Sequence, residues 1–177
     1  MTTAVKNERL DKRFDKWDID GDGLIEKANL EGEARRILTA FDETATSPRG
    51  HAVLEAFRDM YEHLAERAGV GAGGSLDRQQ FLDVIEAEVF QGGDAGFGRV
   101  VRPTIQAILD LCDTDGDGEI NRAEFTRWLD AVGVDRSQAD SAFRAMDLNG
   151  NGTLTVEELV AAVKAYHFGT LDVELLG

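Results

Sequence analysis

A six-residue string, Asp-x-Asp-Gly-Asp-Gly, occurs at Asp18–Gly23 and again at Asp113–Gly118, and a near copy, Asp-x-Asn-Gly-Asn-Gly, occupies Asp147–Gly152. Repetition of this kind constrains the fold more than any other feature of the chain, because every copy has to be the same supersecondary unit. With each copy numbered from its first acid, position 6 is Gly23, Gly118 and Gly152, and position 8 is Ile25, Ile120 and Leu154. Position 13 is Leu30, Phe125 and Leu159. The same frame exposes a fourth copy starting at Gly69, with Gly74 at position 6, Leu76 at position 8 and Phe81 at position 13. Its positions 1, 3 and 5 are Gly69, Gly71 and Gly73, so the scaffold pattern is present without the acids.

The flanks repeat as well. Residues at −8, −4 and −1 from the loops are Leu10, Phe14 and Trp17; Ile105, Leu109 and Cys112; and Ala139, Phe143 and Met146. The Gly69 copy has the weaker stripe Tyr61, Ala65 and Ala68. This spacing places apolar groups on one face of an entering helix. Exiting faces follow in Phe81, Val84 and Ile85, in Phe125, Trp128, Leu129 and Val132, and in Leu159, Val163 and Tyr166. The pattern predicts an all-α chain of four helix–loop–helix units, set in two pairs and packed into one compact domain. Thr44–Gly50 and the glycine-rich Gln91–Gly98 read as connectors, the second joining an N-terminal pair (1–95) to a C-terminal pair (96–177). Pro103 is expected near the start of its helix, where a missing N–H costs least.

The loop spacing matches the needs of a hard cation. Calcium takes six to eight oxygens at roughly 2.3–2.6 Å, and a loop can supply them from positions 1, 3, 5, 7, 9 and 12 around a glycine turn at position 6. Asp113–Glu124 meets each requirement, with Asp113, Asp115, Asp117 and Glu124 as side-chain ligands, the Glu119 carbonyl at position 7 and Asn121 at position 9. Asp147–Glu158 offers Asp147, Asn149, Asn151, the Thr153 carbonyl, Thr155 and Glu158. Its two amides lower the electrostatic pull. Asp18–Asn29 offers Asp18, Asp20, Asp22, the Leu24 carbonyl and Glu26, but Asn29 stands at position 12. An amide gives one oxygen and no charge where a bidentate carboxylate is wanted. Two firm calcium sites and a third at the Asp18 loop are expected, with magnesium as a competitor and nothing bound at Gly69–Gln80. Helical EF-hand units are the fold that these loops imply.

The chain carries 34 acids against 19 bases, a net charge of −15. Such a chain repels nucleic acid and anionic membrane surfaces, so neither is an expected partner. A hydrophobic fraction of 42% separates it from disordered acidic chains. The single cysteine, Cys112, rules out an intrachain disulfide and fits a small core residue. His51, His63 and His167 show no ligand spacing, and Trp17 and Trp128 lie on predicted inner faces. Neither a signal segment nor a membrane span is legible, and a cytoplasmic monomer is the expectation.

The run Arg13-Phe14-Asp15-Lys16-Trp17-Asp18, the glycine-rich Gly69–Gln80 and the ending from His167 to Gly177 resemble the calerythrin-type bacterial EF-hand proteins, themselves similar to sarcoplasmic calcium-binding proteins. The resemblance implies four EF-hands in one helical domain, with loops one, three and four binding calcium and loop two not. It also implies a buffering or transport role. Asn29 departs from it, since an acid is expected there. A calcium sensor that captures a target protein is the alternative reading. An EF-hand photoprotein is a remote one, because the aromatic supply is thin and the close-set stripes suggest a filled interior. No enzymatic activity is expected.

Overall fold

A computed structural model describes residues 2–71, 73–167 and 171. Among them are eight α-helices: α1 (Thr2–Trp17), α2 (Lys27–Ala40), α3 (Pro48–Ala68), α4 (Arg78–Ile85), α5 (Gly93–Cys112), α6 (Arg122–Ala131), α7 (Ala139–Met146) and α8 (Val156–His167). Four two-residue strands interrupt them, β1 (Leu24–Ile25), β2 (Leu76–Asp77), β3 (Ile120–Asn121) and β4 (Thr153–Leu154). β1 pairs antiparallel with β2 and β3 with β4, so that Ile25 meets Leu76 and Ile120 meets Leu154. These position-8 side chains are at most 3% exposed, which ties each loop to its partner through both backbone and core.

The two pairs share further contacts. Phe14 at position −4 packs against Phe81 at position 13 of the partner unit, with ring centroids 5.7 Å apart. Phe143 and Phe125 repeat this contact at the same 5.7 Å in the second pair. Above each −4 ring lies the position-10 arginine of the partner. Arg78 sits 4.6 Å from the Phe14 centroid and Arg122 sits 5.3 Å from that of Phe143. The same arginines reach the −7 aspartates, Arg78 to Asp11 at 2.9 Å and Arg122 to Asp140 at 3.4 Å. Lys27 makes the equivalent ion pair with Glu62. Each exposed pair is worth only about 0–1 kcal/mol. Their effect is to hold the entering helix of one unit over the exiting helix of the other.

Contacts across the halves complete the body: α3 packs on α5, α1 on α8 and α2 on α6. At Gln91–Gly98 the structure differs from the sequence expectation. A π-helical turn (Glu86–Phe90) continues α4, and α5 starts already at Gly93, so that Pro103 lies in the helix interior. The glycines serve close approach instead of a loose linker. A Cβ on Gly92 or Gly96 would lie 2.4 or 2.1 Å from the Glu88 carbonyl oxygen. The Glu88 carboxylate in turn accepts from His63 at 3.0 Å and Arg67 at 2.7 Å, clasping this bend to α3. Thr44–Gly50 contains a true break: Ser47 Oγ accepts from the Gly50 N–H at 3.0 Å and caps α3, with Pro48 at its first position.

The core runs through both halves and includes Cys112 at 2% and Trp17 at 7% exposure. It is not filled, contrary to the expectation from the stripes. A partly open apolar pocket of about 180 Å³ is lined by residues from all eight helices. No described helix is long and apolar enough to cross a membrane. The ending that carries part of the family resemblance lies outside the described residues beyond His167, apart from Leu171. The Leu171 carbonyl accepts from Arg9 at 2.9 Å.

Replacing Gly96 by alanine is expected to destabilise the fold by about 1–3 kcal/mol, since neither backbone can retreat without unseating α5. Thermal melting of the calcium-loaded variant checks this. A change within about 0.5 kcal/mol would show that the bend is not tightly packed.

Candidate metal centres

The loops starting at Asp18, Asp113 and Asp147 are each built by their own odd-numbered side chains. Asp18 accepts from the N–H groups of Asp22 at 3.1 Å and Gly23 at 2.9 Å. Asp113 does the same for Gly116 at 2.8 Å, Asp117 at 3.2 Å and Gly118 at 2.8 Å. Asp147 Oδ2 accepts from Gly152 N–H at 2.9 Å. At positions 3 and 5 each side chain accepts from the N–H two residues on. Examples are Asp115 from Asp117 at 3.2 Å, Asn149 from Asn151 at 3.0 Å and Asn151 from Thr153 at 3.0 Å. Such Asx turns shape the loop. They also turn the amide oxygens, not the NH₂ groups, toward the loop backbone. Gly23, Gly118 and Gly152 at position 6 have φ of 82°, 80° and 85°, a region that glycine occupies without strain.

The result is a set of crowded anions. Carboxylate oxygens of Asp18, Asp20 and Asp22 lie within 4.8 Å of one another, as do those of Asp113, Asp115 and Asp117. Each such pair repels by roughly 1 kcal/mol even at the dielectric of water. Burial raises the Asp113 pKa, but hydrogen bonds from Gly118, Asp115, Gly116 and Asp117 outweigh it and hold the carboxyl below its ordinary range. Asp115 moves the other way. The Asp117 N–H favours its charged form, yet lost solvation, the bond shared with Asp113 and the charges of Asp117 and Glu124 push it up. In the third acidic loop Asp147 Oδ1 is buried and has no hydrogen-bond partner among the described residues. A buried carboxylate oxygen in that condition costs free energy until a cation meets it. The donor sets therefore fit a divalent, oxygen-seeking ion. Asp113, Asp115, Asp117, Glu124 and the Glu119 carbonyl would hold one, and Asp147, Asn149, Asn151, Glu158 and the Thr153 carbonyl another. Asp18, Asp20, Asp22 and the Leu24 carbonyl would hold a third.

Position 12 does two jobs. Glu124 Oε2 accepts from the Asn121 N–H at 2.9 Å, capping α6, while Oε1 accepts from the Thr114 N–H and hydroxyl, both at 2.9 Å. It thus spans the loop from position 9 to position 2. Glu158 caps α8 through the Thr155 N–H at 3.0 Å. Asn29 performs the capping half of this role, accepting from Glu26 N–H at 2.7 Å. Its single oxygen serves there, and the shorter side chain has no second oxygen to span the loop as Glu124 does.

The Gly69 loop differs in its backbone as well as its side chains. Val70 N–H bonds the Ala65 carbonyl at 3.1 Å and Gly69 N–H bonds that of Glu66 at 3.0 Å. This is a Schellman ending of α3, with Gly69 left-handed at φ 77°. Gly74 at position 6 is not left-handed, and a Cβ there would meet the Val70 carbonyl at 2.4 Å. The Tyr61 hydroxyl donates to the Gly74 carbonyl from within. Sequence spacing aligned this loop correctly at position 8 but did not show that its first half closes on itself. The run of glycines at positions 1, 3 and 5 was the available signal. A second feature missed from sequence joins the two C-terminal loops: the Thr153 hydroxyl donates to Glu119 Oε2 at 2.6 Å.

Paired helix–loop–helix units with oxygen donors at these positions define an EF-hand protein, and residues 102–164 match the EF-hand domain pair. Calerythrin of Saccharopolyspora erythraea is 46% identical over 177 residues, covering 100% of both chains. The chain belongs to the calerythrin family of calcium-binding EF-hand proteins. A calcium-binding protein of Streptomyces coelicolor is 30% identical with a TM-score of 0.76, over 92% of this chain and 98% of that one. Calcium-loaded apo-aequorin from Aequorea victoria shares the fold, with a TM-score of 0.76 at 17% identity over 94% and 92% of the two chains.

Asn29→Glu is expected to tighten the Asp18 loop on the order of tenfold, since ligand charge and count tune EF-hand affinity over decades. Calorimetric calcium titration measures it. An unchanged affinity would mean that Glu26 or water already completes the shell.

Proposed function

We propose that the protein is a cytoplasmic, monomeric calcium buffer or transporter, with firm sites at Asp113–Glu124 and Asp147–Glu158 and a weaker third at Asp18–Asn29. Magnesium competes at these sites. The observation that carries the reading is the use of the apolar helix faces inside one body. α1, α2 and α3 pack against α8, α6 and α5, so the apolar helix faces are turned to one another within one body, apart from the central pocket. Met146 is 3% exposed, and the large apolar side chains exposed among the described residues are Ile19 and Leu148, each at position 2 of a loop. A Met-rich adaptable surface of the kind that promiscuous sensors use is missing from this arrangement. The second reading, a sensor, draws support from the Streptomyces coelicolor relative, which is described in terms of calcium-mediated regulation.

One measurement tests the calcium-linked folding that both readings share, and a second separates them. Removing calcium with a chelator leaves the acid clusters uncompensated. Each ion at about 1,000 times its dissociation constant stabilises the fold by about 4 kcal/mol, so melting should fall by tens of degrees. An unchanged melting curve would contradict metal-linked folding. Melittin serves as a probe helix at about 0.15 M salt, where surface attraction is screened. A buffer forms no calcium-dependent one-to-one complex with it; a sensor does.

A further inference from the structure

Of the features that calcium binding does not use, the central cavity is the most developed. It measures about 180 Å³ and its wall is almost wholly aliphatic and aromatic. The pocket is partly open, so a small molecule can reach it, and apolar walls of this kind can hold an aromatic ring, as an enclosed cavity of about 150 Å³ holds benzene. Two features make this one more than a packing defect. Trp17 lines it and is only 7% exposed, and its indole N–H has no hydrogen-bond partner among the described residues. An unmet buried donor costs free energy that a ligand acceptor would recover. Trp17, Cys112 and Met146 also all line the cavity, and each immediately precedes the first residue of an acidic loop, Asp18, Asp113 or Asp147. The Gly69 loop is preceded by Ala68, which does not line it.

We propose that this cavity binds a neutral aromatic molecule of one or two rings bearing a hydrogen-bond acceptor, and that its occupancy is coupled to calcium through Trp17, Cys112 and Met146. The polar groups at the wall favour a neutral ligand. Arg13 and Glu33 contribute one positive and one negative charge to the wall. His167 Nδ1 donates to the Val163 carbonyl at 2.8 Å. Burial, with the Arg13 charge adding to it, pushes the ring down to about 4, so His167 is neutral at pH 7. The net charge of the wall is therefore balanced, and a charged ligand would leave its own charge uncompensated. Trp17 supplies the donor that selects an acceptor. A helix that shifts when its loop takes calcium moves the residue at its end, and the ligand feels that shift in three walls. Coupling of this kind acts equally in both directions.

Quinoline, with two rings and one acceptor nitrogen, is the probe, and naphthalene is its counterpart without the acceptor. Calorimetry of the full chain is expected to give one saturable quinoline site, with different affinities in calcium and in chelator. The same factor must appear in the calcium affinity measured with and without quinoline. Trp17→Phe should weaken quinoline about fivefold, the value of one neutral hydrogen bond, and leave naphthalene unchanged. Val101→Trp fills the cavity from its wall and should abolish binding of both. No saturable quinoline binding to the calcium-loaded chain would overturn the proposal. So would undiminished binding to a folded Val101→Trp, which places the molecule on the surface. Equal loss of quinoline and naphthalene in Trp17→Phe would remove the acceptor from it, and identical affinities with and without calcium would remove the coupling.

Discussion

Everything in this molecule depends on the two short antiparallel ladders that join the loops at position 8. Ile25 against Leu76 and Ile120 against Leu154 are buried contacts made by residues lying between the ion-binding half of each loop and the start of the exiting helix. Each ladder fixes the relative height of two loops to within a hydrogen bond. The helices before and after then have little choice of direction. The −4 phenylalanines, the position-13 aromatic rings and the position-10 cations meet because the ladder has already aligned their helices. Local propensity starts the helices, and the caps at Ser47, Asp77 and Asn121 stop the chain from extending them backwards.

Much of this was legible in the sequence because it is periodic. Loop frames, the −8, −4 and −1 stripes and the pairing of units all follow from residue types recurring at fixed intervals, and these intervals are what a helix or a loop converts into a face. The acidic ligand positions follow from the same frame. What was not legible depends on space shared by segments far apart. The glycines around residue 96 read as a flexible connector, yet they serve to let the Glu88 carbonyl approach, a demand invisible without the neighbouring backbone. The cavity is a remainder of packing among eight helices, and no single stripe reports a remainder. The position-10 to −7 charge pairs, Lys27 with Glu62, Arg78 with Asp11 and Arg122 with Asp140, could have been found from the frame, since all three recur at one spacing.

The four loops also form a graded series of one design. Asp113–Glu124 has charge at positions 1, 3, 5 and 12 and a position-12 side chain that spans the loop. Asp147–Glu158 substitutes amides at 3 and 5 yet keeps a carboxylate at 12 and a buried, unmet oxygen at 1. Asp18–Asn29 has the acids and lacks the span. Gly69–Gln80 keeps the ladder, the position-12 cap and the position-10 and position-13 contacts, without the acids. Ion affinity can thus fall away from loop to loop while the fold stays common to all, because the ladder and the ligands draw on different positions.

The closed Gly69 loop has a consequence for the shape of the calcium response. Its first residues, Gly69 and Val70, bond the carbonyls that end α3, and glycines stand where the other loops carry acids or amides. On the proposed function the Asp18 loop would be paired with a loop that takes no ion, and its saturation would follow a simple hyperbola. The Asp113 and Asp147 loops would each have an ion-binding partner, joined by the ladder and by the bond from Thr153 to Glu119. Their saturation can be sigmoidal. One chain would then answer a rising ion concentration twice, steeply from its C-terminal half and gradually from its N-terminal half.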